Sequence, residues 1–195
     1  MIRKRHFIAT ALGAAAAPVL AQGNAAASLK GPALLTVTGA VDKGNRGPFD
    51  PVLDQLMAKQ KLSFAKAHAF DFAALAALPA ITIKPTLEYD NKQHTLRGPL
   101  LADVLKAAGV TGDNVKVAMR AIDGYAPTIS LADARKYRFI VATQLDGKPL
   151  PLGGLGPLWA VYEADKFPDM AAKPVSERFG LCPWGLYHID AAQAA

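Results

Sequence analysis

Residues Asp146 to Tyr162 read Asp-Gly-Lys-Pro-Leu-Pro-Leu-Gly-Gly-Leu-Gly-Pro-Leu-Trp-Ala-Val-Tyr, and the choice of fold class starts from this stretch. It follows an apolar, β-branched run, Phe139 to Thr143, and Asp146-Gly147 is a pair that tolerates positive φ in a tight turn. A strand therefore ends at the turn. Gly153, Gly154 and Gly156 then leave bare backbone that another chain segment or a ligand can approach, and a new strand begins at Leu158. The spacing is neither that of a Walker loop nor that of a dinucleotide fingerprint, and the loop runs into a strand instead of a helix. Two readings stay open for it, plain loop geometry and the rim of a ligand site.

Outward from this stretch, strands and helices mix without strict alternation. Leu34 to Thr38 predicts a strand closed by Gly39, and Asp42 to Pro51 a loop. Asp50 is placed to cap a helix that starts at Pro51 and turns Val52, Leu53, Leu56 and Met57 to one face. Leu62 to Phe70 predicts a strand, and Asp71 caps a helix over Phe72 to Leu78 with Leu75 and Leu78 inward. Ile81 to Ile83 opens another strand near an edge, since Pro85 follows.

The amphipathic helix after Gly98-Pro99 has Leu100, Leu101, Val104, Leu105 and Ala108 inward, with Asp103 and Lys106 outward, and ends at Gly109. Val115, Val117 and Met119 alternate with Lys116, Ala118 and Arg120, the period of a half-buried strand that ends at Asp123-Gly124-Tyr125. Ser130 and Asp133 cap a short helix to Tyr137. Glu163 to Arg178 reads as a polar link, and Trp184 to Ile189 as the closing strand. This order predicts one α+β domain with a mixed sheet and short helices, over residues 34–190.

The N-terminus is a leader. Met1 to His6 is basic, Phe7 to Leu20 is short and alanine-rich, and Val19-Leu20-Ala21 suits cleavage before Gln22. Residues 1–21 thus predict an export signal, by the Sec route or by a twin-arginine-like one read from Lys4-Arg5, and residues 22–33 a loose lead-in. No run reaches the ~18 apolar residues of a membrane span. Without Arg3, Lys4 and Arg5 the formal charge of +6 falls to +3, 19 basic against 16 acidic residues, too scattered for nucleic acid.

Chemistry-bearing residues are sparse. The single cysteine, Cys182, makes no internal disulfide and reads as buried and structural. His94, His68 and His188 form no cluster and read as surface residues. Asp123, Asp146 and Glu163 sit at turns or element ends, where backbone reasons favour acids. No Gly-x-Ser-x-Gly elbow is present.

The order of several short motifs says more. Thr-Val-Thr-Gly at 36–39, Asn-Arg-Gly-Pro at 45–48, Arg-Gly-Pro-Leu-Leu-Ala-Asp-Val-Leu at 97–105, Ala-Ile-Asp-Gly-Tyr at 121–125, Asp-Gly-Lys-Pro-Leu at 146–150 and Gly-Pro-Leu-Trp at 156–159 follow one another. In that order the chain resembles the sulfite-oxidase-type oxidoreductase molybdopterin-binding domain, in its short, exported, stand-alone pterin-binding branch. The resemblance implies a pterin pocket built from Tyr125 and Trp159 as apolar walls, Gly154, Gly156 and Asp123 in its loops, and Arg46 or Arg97 for an anionic group.

It also implies a cysteine ligand to molybdenum between Ile81 and Gly98, where none occurs; Thr86 stands near that position, and a neutral hydroxyl is no substitute for a soft thiolate. Trp159 replaces an arginine common in the enzymes. Three functions follow. The first is a binding module that holds a molybdopterin-type pterin without protein-ligated molybdenum; the second is an active molybdopterin-dependent oxidoreductase with an atypical metal shell. The third is a ligand-free sensor or interaction domain, its redox or signalling partner undetermined.

Overall fold

The computed structural model describes residues 29–193, so the expected export signal and cleavage site lie outside the described residues. In chain order the strands are β1 Leu35–Gly39, β2 His68–Phe70, β3 Ala80–Ile83, β4 Leu96–Pro99, β5 Val115–Ala121, β6 Thr128–Ser130, β7 Ile140–Ala142, β8 Gln144–Leu145, β9 Lys148–Pro149, β10 Trp159–Val161 and β11 Leu186–Gln193. The helices are α1 Gln55–Lys59, α2 Phe72–Ala76, α3 Leu101–Ala107, α4 Leu131–Lys136 and α5 Pro168–Ala171. The α+β class with mixed sheet and short helices is the one read from the sequence.

The main sheet runs β2-β1-β11-β5-β6; β1 and β11 are parallel, and every other pair in it is antiparallel. A second sheet runs β3-β4-β8-β9, and β7 pairs with β10. The Asp146-Gly147 turn joins β8 to β9 with φ of 49° and 78°, the twist that a two-residue hairpin needs. Gly98 lets β4 approach β7, because a Cβ there would stand 1.9 Å from the Val141 carbonyl oxygen. One apolar core joins the layers. Leu35 and Val37 of β1, Val117 and Met119 of β5 and Ile189 of β11 pack in one cluster with Leu101, Val104 and Leu105 of α3.

The chain departs from its pattern in four places. Asp50 caps only one turn, its Oδ1 accepting from Val52 and Leu53 N–H at 2.8 and 3.1 Å, and α1 starts four residues later than Pro51. Val52 and Leu53 are consequently 73% and 80% exposed, and only Met57 turns inward. Strand β2 keeps only the last three residues of the expected run, and the 163–178 link folds into short helical turns with α5 among them. The closing strand begins at Leu186, two residues after Trp184, shifts register between Leu186 and His188, and runs on to Gln193.

His188 is a further correction. It is buried, not a surface residue, because the polar face of the main sheet is itself covered. Its Nε2 meets Thr38 Oγ1 at 3.0 Å, and Thr38 Oγ1 donates to Asp190 Oδ1 at 3.0 Å, which makes the imidazole the donor to Thr38. Burial, aided by the Arg120 and Arg46 guanidiniums, pushes His188 down to about 4. His94, by contrast, is held between Asp146 and Asp90 at 2.7 and 3.0 Å, and both carboxylates raise its pKa.

Candidate functional site

Strand β5 ends in a turn that Asp123 builds, its Oδ1 accepting from Tyr125 N–H at 2.9 Å while Gly124 takes φ of 95°. This is the backbone role that short acids play in turns. Tyr125 is left half-exposed, and its phenol donates to the Gly180 carbonyl. Ile122 N–H reaches the Gly185 carbonyl at 3.0 Å and Gly185 N–H reaches the Leu155 carbonyl at 3.3 Å. Gly185 thus ties the 122–125 turn to the glycine loop.

The glycine loop folds on itself. Gly154 and Gly156 N–H both reach the Pro151 carbonyl at 3.2 Å, and a Cβ on Gly156 would stand 2.4 Å from the Leu150 carbonyl oxygen. Gly156 is therefore needed by the chain's own packing, while Gly154 is exposed at the rim.

Trp159 corrects the expectation of an apolar wall. It is 1% exposed, packs at 6.5 Å from the Tyr89 ring and 6.4 Å from the Phe179 ring, and donates Nε1–H to the Cys182 carbonyl at 2.9 Å. A bridge sets Trp184 beside it, and that indole is 42% exposed. The tryptophan on the surface is the one the motif order did not single out.

The two arginines are not brought to this face. Arg46 is occupied by the Asp54 carboxylate, donates to Thr36 Oγ1 at 3.3 Å and lies over the Phe64 ring at 5.1 Å. Arg97 is exposed on the second sheet between Thr82 and Gln144, and no hydrogen bond among the described residues joins it to the turn or the glycine loop.

What does gather here is aromatic and apolar. Tyr89, Ile122, Tyr125, Leu152, Leu181 and Trp184 are six of the eleven large apolar side chains left exposed among the described residues, and the bonds above link their segments. Exposed apolar surface, where it is contiguous, is the kind of surface that binding faces are built from. Glu88 is half-buried beside Tyr89. Burial and the Glu88 charge raise the Tyr89 pKa, so the phenol keeps its proton.

A groove of about 670 Å³ opens elsewhere, along β2 and α2, and none of the expected site residues lines it. Its buried carboxylate, Asp71, is already filled by Ala74, Lys30 and Gly31 N–H groups at 2.6 to 2.9 Å. That leaves Asp71 little with which to read a ligand.

Among the described residues no three His, Cys, Asp or Glu side chains gather as ligands. Cys182 is sealed in the core and burial pushes its thiol well up, away from the thiolate that binds soft metals. The Thr86 segment is pinned instead by its N–H to Asp165 Oδ2 at 2.7 Å.

With this geometry the comparisons can be read. Residues 90–162 match the oxidoreductase molybdopterin binding domain. The match starts just after Glu88-Tyr89 and takes in Arg97, the 122–125 turn, the glycine loop and Trp159. The fold is similar to that of the sulfane dehydrogenase SoxCD from Paracoccus pantotrophus, with a TM-score of 0.54 at 12% identity, over 83% of this chain and 38% of that one. At this identity the likeness is one of fold, and the chain spans well under half of that protein's length. No curated protein matches. No helix among the described residues is long and apolar enough to cross a membrane.

Proposed function

We propose that this chain is an exported binding module for a molybdopterin-type pterin, and that it supplies no side-chain ligand to molybdenum. The observation that carries this reading is the aromatic face of Tyr89, Tyr125 and Trp184 on a molybdopterin-type domain whose only cysteine is buried and protonated. Flat aromatic surfaces suit a planar heterocycle, and a few polar groups beside them fix its orientation. Export rests on the basic and apolar leader of residues 1–21.

The test is ligand retention by protein purified from an export-competent host. Trp184→Ala and Tyr125→Ala are expected to lose bound pterin fluorescence while keeping the wild-type melting behaviour. Full retention in both variants would remove the aromatic face from the account.

A further inference from the structure

The groove of about 670 Å³ along β2 and α2 has the size of a small-molecule site and shares no residue with the aromatic face. Its floor is apolar. Phe70 of β2 and Ala73, Ala74 and Ala77 beside it line the space, and the alanines are too small to fill it. The His68 ring adds to this surface, tilted against Phe70 with 4.5 Å between centroids.

The polar groups around the floor divide into spent and free. Asp71 is buried and committed to three backbone N–H groups. Asn45 donates to the Ala69 carbonyl at 2.9 Å and accepts from Ala69 N–H at 2.7 Å, so this part of the β2 edge has nothing to offer a further strand. His68 Nδ1–H donates to the Lys43 carbonyl. Lys30 and Lys43, by contrast, are exposed lining residues whose ammoniums enter none of the ion pairs among the described residues. Asp42, also exposed, is the free acid set against them. The mouth thus carries two cations and one acid, a surplus of one positive charge over an apolar floor. An ammonium answers a carboxylate as a point charge, with no need for a fixed fork of donors. A dianion such as phosphate would exceed the surplus and leave the floor bare. The geometry points to a second binding site in this groove, for an apolar monocarboxylate that lays its body against Phe70 and the alanines and turns its carboxylate to Lys30 and Lys43. The site is separate from the pterin-binding face, and the failure of either reading leaves the other standing.

The experiment is an NMR titration of isotope-labelled protein from an export-competent host with naphthylacetate and with its neutral amide. Naphthylacetate is expected to shift the amide signals of Lys43, Asn45, His68 and Ala73 to Ala77, and to bind about tenfold more tightly than the neutral amide, the worth of a hydrogen bond to a charged group. Lys30→Gln combined with Lys43→Gln, both at exposed positions, is expected to bring the two affinities to within about twofold. Ala77→Trp, also at an exposed position, is expected to fill the groove and abolish the shifts. Absence of saturable shifts, shifts confined to the aromatic face, equal wild-type affinity for acid and amide, or undiminished binding by folded Ala77→Trp protein overturns the site. The wild-type titration decides by itself if a variant fails to fold, which a melting curve reports.

Discussion

His188 gives the sharpest test of the packing. Its imidazole is 2% exposed, and Thr38, Asp190, Arg120 and Arg46 are the polar groups that face it. The folded pKa of about 4 lies below the ordinary 6.5. As pH falls from 6.5 the unfolded chain takes up a proton that the native chain refuses, so stability is lost down to pH 4 and then levels off. At ~1.4 kcal/mol per pH unit, cooling of stability between pH 7 and 5 amounts to about 2 kcal/mol from this one group.

Carboxylates titrate in the same range, so the comparison is with His188→Gln, which can still donate to Thr38. Urea denaturation at pH 7 and pH 5 should show the wild type losing about 2 kcal/mol more than the variant. Equal losses, or an NMR titration of the His188 ring near its ordinary value, would refute the burial and the hydrogen-bond assignment together.

Three further outcomes follow from the same structure. Asp146 and Asp90 raise the His94 pKa, so the clamp between the 90–95 hairpin and the β8–β9 turn stabilises below pH 6.5 and is lost as pH rises through the raised value; amide exchange at Thr95, whose N–H meets Asp146 Oδ1 at 2.8 Å, should quicken over that rise, and quicken at all pH in His94→Ala. Gly156→Ala should destabilise by about 2 to 3 kcal/mol, because the new methyl group collides with backbone at Leu150 and not with a movable side chain, and an unchanged melting temperature would contradict this. Cys182 should resist a thiol reagent in native buffer and react in denaturant; fast native labelling would show that its burial is misjudged.

Local pattern carried much of the fold. The helical spacing of Leu101, Val104 and Leu105 and the alternation of Val115, Val117 and Met119 both describe what these segments bury, since each packs one face on the same core. Tertiary context decided the rest. The parallel pairing of β1 with β11 joins residues about 150 apart, and no local period reports it.

Thr36, Thr38 and His188 look like the solvent face of their strands, yet the 45–60 segment lies over that face, with Arg46 and Met57 packed above Thr36. The same segment shows Val52 and Leu53 to solvent, because Asp54 turns back to grip Arg46 and the Asp50 N–H instead of letting the helix run from Pro51. In the candidate site, motif order pointed to the 122–125 turn and the glycine loop, and to the buried one of the two tryptophans. Trp159 sits inside while Trp184 stands on the surface, a difference that no local pattern reports.

The account stands or falls on what the protein carries when isolated from an export-competent, cofactor-making host. Released pterin fluorescence and metal content should be measured on the same preparation, for wild type and for Cys182→Ser. The account predicts pterin in near-equal amount to protein, with any molybdenum independent of Cys182 and removable by mild chelation. Stoichiometric molybdenum that resists chelation and disappears with Cys182→Ser would contradict it.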